Sequence, residues 1–431
     1  MKKIILLFLL LINGSLFSQW FQVQSGTQNL LYDIAFIDAN TGYAVGDTGL
    51  ILRSTNGGLN WSPIQSPATV VLREIIFKTA QTGYVCGYYG VVLKTLNGGS
   101  NWIVQKTGAN YSLFGISFYD VNTGITVSGA PSVSYTTNGG TNWVIKIISQ
   151  TWRPSGVSMR NPFQIFVSGT ELNQGAAVLL STNAGDNWSE VLRLNNQYML
   201  EYRLNSICFT DGNTGFTCGV HNTTSSSYAI IYRTSNGGIN WVNTCSLSVF
   251  SSNMLFDIYF PSAMTGTAVG IYGMILRTTN SGINWGLQTS GTDRYLYGVY
   301  FLNGDTGFAV GDSGTILKTT NGGLEAIKPL SNTIPESFQL SQNYPNPFNP
   351  TTKIMFSVPT FPLYERGDKG GFVTLKIYDL LGREIITLVN EQLQPGSYEV
   401  QWSASNIPSG VYFYRLTTDN FTDTKKMVLI K

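Results

Sequence analysis

The chain has 431 residues, which is longer than one ordinary domain and predicts two units or an array of repeats. Only 12% of the residues are charged, while glycine (46 residues) and aromatic residues (13%) are frequent, which is typical of short strands and many turns and predicts an all-β protein. The formal net charge of +2, without a long basic run, argues against a nucleic-acid-binding protein.

The chain begins with a predicted secretory signal, residues 1–18. Two lysines precede an apolar run from Ile4 to Ile12, and small and polar residues follow as far as Ser18. This order is typical of a cleaved signal peptide, and it places cleavage after Ser18. No later run approaches the roughly 18 apolar residues that a membrane span needs. We therefore expect an exported protein without a membrane span.

A turn motif occurs seven times in the next 310 residues, and its first copy is Asn56-Gly57-Gly58-Leu59-Asn60-Trp61. Three short apolar segments precede each copy, so every repeat predicts four strands. The interval between successive copies is 41 to 53 residues, which is typical of propeller blades. The seven copies begin at Asn56, Asn97, Asn138, Asn183, Asn236, Asn280 and Asn321.

The tryptophan that ends the motif predicts how the ring of blades closes. The copy at Asn321 lacks this tryptophan, but Trp20 lies 41 residues before Trp61. The residues after Trp20 are also similar to those after Trp285. We therefore predict that the N-terminal strand completes the last blade and closes a seven-bladed ring.

The motif Ser54-x-Asn56-x-Gly58-x-Asn60-Trp61 resembles the Asp-box of sialidase-type propellers, with Asn in place of Asp. The whole repeat resembles the photosystem II stability and assembly factor propellers over residues 19–328. The resemblance implies a seven-bladed β-propeller, but it implies no particular activity because propellers host many functions. We interpret the turn as structural, since glycine supplies positive φ and tryptophan a buried anchor. A ligand-binding turn is the alternative.

The tail, residues 338–431, predicts a second unit after a linker at 329–337. Its segments Val373–Asp379, Pro395–Val400 and Ser409–Leu416 resemble the type A C-terminal sorting domain of the type IX (Por) secretion system. The resemblance implies a small Ig-like β-sandwich and the type IX machinery as a partner. It also implies that the protein passes through the periplasm and is then secreted or held at the outer-membrane surface.

Nothing in the repeats predicts an enzyme, a metal site or a cofactor. A sialidase needs converging arginines, a tyrosine nucleophile and an acid, and a sialidase-like glycan hydrolase is our alternative function. The Asp211-Gly212-Asn213 turn lacks the later glutamate of a calcium loop, so we interpret it as a hairpin turn. The basic residues just before the motif are instead spread around the ring: Arg53, Lys94, Arg233, Arg277 and Lys318.

The segments that join one blade to the next predict a recognition face for an unknown protein or glycan. They collect arginine, tyrosine and tryptophan, which are enriched at interface hot spots. The alternative is that the aromatic residues seal the junctions between blades. Three acids, Asp33, Glu74 and Asp257, are expected at the mouth of the channel. The predicted face comprises Tyr32, Arg73, Tyr111, Trp152, Arg153, Tyr202, Arg203, Arg294, Tyr295 and Tyr297.

Four cysteines occur in this exported chain. Cys86 and Cys218 occupy the same repeat position, where other repeats have valine or serine, which predicts a packing role. Cys208 and Cys218 could face each other across one hairpin. Sequence does not fix the Cβ geometry that a disulfide needs, so this pairing stays open.

Overall fold

The computed structural model contains seven four-stranded antiparallel sheets arranged as a ring, followed by two further four-stranded sheets. The predicted signal, residues 1–18, lies outside the residues that the structure describes. Within the described ranges, no helix is long and apolar enough to cross a membrane. The structure describes residues 20–149, 152–171, 175–195, 201–250, 252–323, 328–331, 334–360, 371–404 and 407–430.

Each blade places its strands in chain order from the central channel outwards. In blade one, every residue of the second strand, β3, is buried, because the neighbouring blades cover both faces of the sheet. The first four blades contain β2 (Leu31–Phe36), β3 (Gly42–Gly46), β4 (Ile51–Ser54), β5 (Ser62–Ile64), β6 (Leu72–Phe77), β7 (Gly83–Gly87), β8 (Val91–Thr95), β9 (Ile103–Lys106), β10 (Leu113–Phe118), β11 (Gly124–Ser128), β12 (Ser132–Thr136), β13 (Val144–Ile147), β14 (Trp152–Met159), β15 (Ile165–Glu171), β16 (Gly175–Ser181) and β17 (Ser189–Leu194).

The remaining three blades follow the same plan, except that the last one takes its outer strand, β1 (Phe21–Val23), from the N-terminus. Short 3₁₀ turns join the second and third strands in four blades: Asp47–Gly49, Tyr88–Gly90, Ile271–Gly273 and Asp312–Gly314. The strands of blades five to seven are β18 (Tyr202–Phe209), β19 (Gly215–Asn222), β20 (Ser227–Thr234), β21 (Val242–Leu247), β22 (Leu255–Tyr259), β23 (Gly266–Gly270), β24 (Ile275–Thr278), β25 (Gly286–Gln288), β26 (Leu296–Phe301), β27 (Gly307–Gly311) and β28 (Ile316–Thr319).

The predicted closure of the ring is confirmed. Strand β1 pairs antiparallel with β28, with Phe21 opposite Lys318. Trp20 is 1% exposed and packs edge-to-face on Phe301, with 5.7 Å between ring centroids. Its Nε1 donates a hydrogen bond to Oε1 of Gln288, 3.0 Å away in blade six. The N-terminal segment therefore joins the last blade to its neighbour.

The recurring turn uses its polar groups on itself. In the first copy, the Ser54 hydroxyl accepts a hydrogen bond from the Gly58 N–H (2.9 Å) and donates one to the Asn56 Oδ1 (3.0 Å). The same Asn56 oxygen accepts from the Asn60 N–H at 3.0 Å. Gly58 has φ +76°, and a Cβ there would lie 2.3 Å from a phenylalanine ring of blade seven. These contacts favour the structural interpretation of the turn.

All four cysteines are free thiols, so the Cys208–Cys218 disulfide that the sequence left open is not formed. The reason is the pairing of β18 with β19, which places Cys208 opposite Phe216 and Cys218 opposite Ser206. Cys86 and Cys218 are fully buried among apolar side chains, as a packing role requires.

The second unit is a β-sandwich of two four-stranded sheets around one apolar core that includes Phe356, Trp402 and Tyr414. Its first strand, β29, lies mostly in the predicted linker 329–337 and pairs with β34, so the sandwich includes residues before 338. The strands are β29 (Lys328–Ser331), β30 (Gln339–Leu340), β31 (Thr351–Val358), β32 (Gly371–Tyr378), β33 (Glu384–Leu393), β34 (Gly396–Ser403), β35 (Gly410–Thr417) and β36 (Thr422–Leu429).

The sandwich contacts blade six of the propeller through Glu384, the first residue of β33. The backbone oxygen of Glu384 accepts hydrogen bonds from Nδ2 of Asn280 (2.7 Å) and Nδ2 of Asn284 (3.2 Å). Its carboxylate accepts one from the Thr279 hydroxyl at 3.0 Å. Asn280 and Asn284 belong to the recurring turn, so the turn of blade six carries the sandwich in addition to its own hydrogen bonds.

Candidate functional site

The innermost strand of every blade contains a β-bulge at the same position. In blade one, Leu31 pairs with Gly46 and Asp33 with Val45, which leaves Tyr32 without a partner residue on β3. A bulge turns the extra side chain out of the regular alternation, and here all seven extra side chains line one cavity at the mouth of the channel. The seven residues, which we call the bulge ring, are Tyr32, Arg73, Phe114, Ser155, Asn205, Phe256 and Tyr297.

Five consecutive members of the bulge ring form an arc of touching side chains. The guanidinium carbon of Arg73 lies 4.3 Å from the ring centroid of Tyr32 and 5.5 Å from that of Phe114. Tyr32 packs against Tyr297 at 5.4 Å, and Tyr297 against Phe256 at 5.0 Å. Each contact restricts the rotation of its neighbours, so Arg73 is held between two aromatic faces before any ligand arrives.

The rest of the bulge ring is polar and connects blades four and five to the blades that follow them. Ser155 donates a hydrogen bond to the backbone oxygen of Leu204, and Asn205 donates one to the backbone oxygen of Leu255 at 2.6 Å. Arg203 lies beside this polar sector and forms an ion pair with Glu201 at 2.6 Å. The cavity therefore has an aromatic side with Arg73 and a polar side with Arg203.

Three carboxylates form the floor of the cavity, as the sequence predicted, and they connect neighbouring blades. Asp33 accepts a hydrogen bond from the Ile75 N–H at 2.8 Å, which joins blades one and two. Glu74 accepts one from the N–H of residue 116 at 2.7 Å, which joins blades two and three. Asp257 accepts from the Ser206 hydroxyl (2.9 Å) and from the N–H of residue 299 (3.0 Å), so it joins three blades.

Burial raises the pKa of all three carboxyl groups. The pKa of Glu74 rises to about 8, mainly because burial disfavours its charged form and secondarily because Asp257 repels it. Burial and the charges of Asp257 and Glu74 raise the pKa of Asp33, although its backbone hydrogen bonds act in the opposite direction. The pKa of Asp257 is raised by burial. Near neutral pH the floor therefore carries less negative charge than three free carboxylates would.

The cavity has a volume of about 430 Å³, which is large enough for one or two side chains of a ligand but not for a folded domain. Within the parts of the chain that the structure describes, no acidic side chain forms an ion pair with Arg73. Its N–H groups are therefore available to an anionic or carbonyl group that enters the cavity.

Four of the ten residues predicted for the recognition face line this cavity: Tyr32, Arg73, Arg203 and Tyr297. Trp152 is a correction, because its side chain is 1% exposed and packs on Ala177 and Leu179 in the core of blade four. Its indole is therefore closed to a ligand, and these two packing partners belong to the same blade rather than to a junction between blades.

The other five predicted residues lie outside the cavity lining. Tyr202 stacks on His221 with 3.9 Å between ring centroids, and Tyr295 packs edge-to-face on Tyr272 at 5.4 Å. Tyr111 is 58% exposed. Arg153 and Arg294 are also exposed and separate from the cavity.

The sequence prediction missed Phe114, Ser155, Asn205 and Phe256. Each of them precedes the repeat position that Asp33 occupies in blade one, so aligning the seven repeats on that acid would have found them. The signal was weak because the acid is replaced by glycine or serine in four blades: Gly115, Gly156, Ser206 and Gly298.

Three of the five basic residues just before the motif, and Asp211, have structural roles. Lys94, Arg233 and Lys318 each donate a hydrogen bond of 2.8 Å to a backbone oxygen in the recurring turn of the next blade. The Asp211 carboxylate accepts hydrogen bonds from two backbone N–H groups of its own turn, as in a hairpin turn. No group of His, Cys, Asp or Glu suited to a metal ion occurs among the residues with described positions.

The fold and the cavity define a seven-bladed β-propeller with a pocket at one end of its channel, followed by a β-sandwich. Residues 12–103 and 59–155 match the family model described as Photosynthesis system II assembly factor YCF48. Residues 342–431 match the model described as Secretion system C-terminal sorting domain. The chain therefore combines a YCF48-like propeller with a type IX sorting domain, which indicates export to the cell surface or beyond it.

Solved structures with similar folds agree with the propeller assignment. YCF48 bound to D1 peptide aligns with a TM-score of 0.55 and 18% identity, covering 71% of this chain and 98% of YCF48. YCF48 from Cyanidioschyzon merolae aligns at 0.51 and 20%, covering 70% and 98%. The WD40 propeller domain of Doa1 aligns at 0.52 and 9%, covering 70% and 97%. A comparison with curated proteins gave no match.

Proposed function

We propose that the protein is an exported binding module that holds an extended segment of a partner protein over the mouth of the propeller channel. The observation that carries this proposal is Arg73, which is fixed between Tyr32 and Phe114 with its donors facing a cavity. Such a side chain loses little freedom when a ligand binds, so its hydrogen bonds contribute fully to affinity. Aromatic and arginine side chains in a pocket are also the usual anchors of protein interfaces.

A peptide is the favoured ligand class. The cavity accepts a side chain or a chain end rather than a folded surface, and Arg73 and Arg203 suit a carboxylate or a backbone carbonyl. YCF48, which has a similar fold, has been solved with a bound D1 peptide. That binding belongs to YCF48, and it supports a peptide ligand here by analogy of fold alone.

We propose a role without catalysis. A sialidase-type hydrolase is not favoured, because the three acids of the cavity accept hydrogen bonds from the backbone of neighbouring blades. These bonds give the acids a structural task at the blade junctions. The protein is expected to cross the periplasm before its sorting domain directs it through the outer membrane.

The test compares two pairs of arginines in the purified full-length protein. Acidic, neutral and basic decapeptides and a glycan array serve as probes. We expect acidic or neutral peptides to bind, and Arg73→Ala with Arg203→Ala to reduce their affinity at least 30-fold, since an anchor contributes about 2 kcal/mol. Arg153→Ala with Arg294→Ala is the matched control, because these arginines are exposed outside the cavity. Equal losses in both pairs, or binding of glycans alone, would contradict the proposal.

A further inference from the structure

The β32–β33 hairpin of the sandwich ends in a tip formed by Leu380 and Leu381, two adjacent leucines in water. Leu381 is 78% exposed, the highest value among the large hydrophobic side chains in the described ranges, and Leu380 is 67% exposed. A single exposed apolar residue is ordinary on a protein surface, whereas two neighbours at a hairpin tip form one protruding apolar surface.

The tip is held in one conformation by Asp379. Its Oδ1 accepts hydrogen bonds from the N–H groups of Leu381 and Arg383, both at 2.9 Å, and its Oδ2 accepts one from Nε of Arg383 at 2.6 Å. Gly382 follows with φ +76°, a backbone conformation that residues other than glycine adopt only at an energetic cost. The two leucines are therefore presented by a turn that needs no ordering when a partner binds.

The propeller binds beside the tip without covering it. Its hydrogen bonds from Thr279, Asn280 and Asn284 all end on Glu384, directly after the turn. Lys376 also holds the Glu384 carboxylate, at 2.9 Å. The contact with the propeller thus lies on β33 just after the turn, at Glu384 and at Ile386 beside Gly286, whereas Leu380 and Leu381 stay exposed.

We propose that Leu380 and Leu381 insert into an apolar pocket of the type IX secretion machinery. The occupant follows from the place of the hairpin, since residues 342–431 match a sorting domain and such a domain has to be bound by the machinery that exports it. The tip is rigid, apolar and left uncovered by the cargo, which are the features of an interface anchor. Arg383, 68% exposed at the side of the tip, suits a polar or acidic rim around that pocket.

The test is secretion of the full-length protein from a bacterium with type IX secretion. Leu380→Asp with Leu381→Asp should lower the extracellular protein at least tenfold and raise the cell-associated protein. Phe372→Asp is the matched control, because Phe372 is 49% exposed on β32, at the end far from the tip. The Phe372 variant should change secretion less than twofold. A variant with Leu380→Met and Leu381→Met keeps the tip apolar and should be secreted like the parent.

Thermal melting of each purified variant shows whether it folds, and the milder Leu380→Ser with Leu381→Ser replaces the aspartate pair if that pair unfolds. Secretion of the folded double variant within twofold of the parent would overturn the proposal, as would an equal loss in the Phe372 control. A parent protein that dimerises in sedimentation while the double variant is monomeric and secreted would assign the tip to self-association instead. Deleting residues 338–431 distinguishes the role of the leucine tip from the sorting role of the whole domain. Unchanged secretion of that truncation would refute the sorting role itself.

Discussion

Replacing Trp20 with alanine tests how the ring of blades is closed. The side chain is 1% exposed and packs among Leu296, Val299 and Leu317, so its removal leaves a large cavity between blades six and seven. Truncation of a buried Trp to Ala typically costs 3 to 5 kcal/mol. The lost hydrogen bond to Gln288 falls within that range, because it contributes only about 1 kcal/mol. We expect a loss of about 4 kcal/mol.

The assay is denaturant-dependent labelling of the thiols. All four cysteines belong to blades two and five, so labelling reports the unfolding of the propeller and not of the sandwich. With a urea dependence of about 3 kcal/mol per molar, the midpoint should fall by roughly 1 M. Phe21→Ala is the control, because Phe21, the next residue and the first of β1, is 38% exposed and should shift the midpoint much less. An unchanged midpoint for Trp20→Ala would refute the closure argument.

Three further outcomes are expected. Glu74, whose pKa is raised from 4.5 to about 8, contributes stability that is complete below pH 4.5 and lost as the pH rises through 8, so Glu74→Gln should flatten the decline in melting temperature between pH 5 and 9. Ser54→Ala removes the acceptor of the buried Gly58 N–H and should cost about 1 to 3 kcal/mol in the thiol assay, whereas a neutral result would mean that water replaces the hydroxyl. Deletion of residues 338–431 should leave a folded propeller in the periplasm, and equal amounts of truncated and full-length protein outside the cell would contradict this expectation.

The architecture followed from the sequence because each blade repeats one local pattern. The spacing of the turns predicted the number of blades. The position of Trp20 predicted that the N-terminal strand completes the last blade. The start of the sandwich was placed too late, since β29 contains Pro329 in a segment that reads as a linker. Its pairing with β34 depends on residues about 70 positions later, which local patterns do not show.

The site was predicted only in part. Tyr32, Arg73 and Tyr297 were found because their chemistry stands out, whereas Ser155 and Asn205 are ordinary loop residues in sequence. What joins all of them is the bulge, a feature of strand pairing that composition does not encode. Trp152 shows the opposite error, since a residue type common at interfaces is also a good core residue. The contact of Glu384 with blade six depends on the placement of two domains and had no sequence signal.

The pairing of β1 with β28 also sets the order in which the propeller can assemble. Phe21 and Lys318 are partners across 297 positions, and closing a flexible loop of that length costs about 5 kcal/mol in chain entropy. That cost is similar to the contribution of Trp20, so the last strand pair cannot form early from an unstructured chain. The cost falls only when the intervening blades are already stacked and bring the two strands together. Ring closure is therefore a late step in folding. Until β28 has joined the stacked blades, the propeller is an open arc with an unpaired strand at its end.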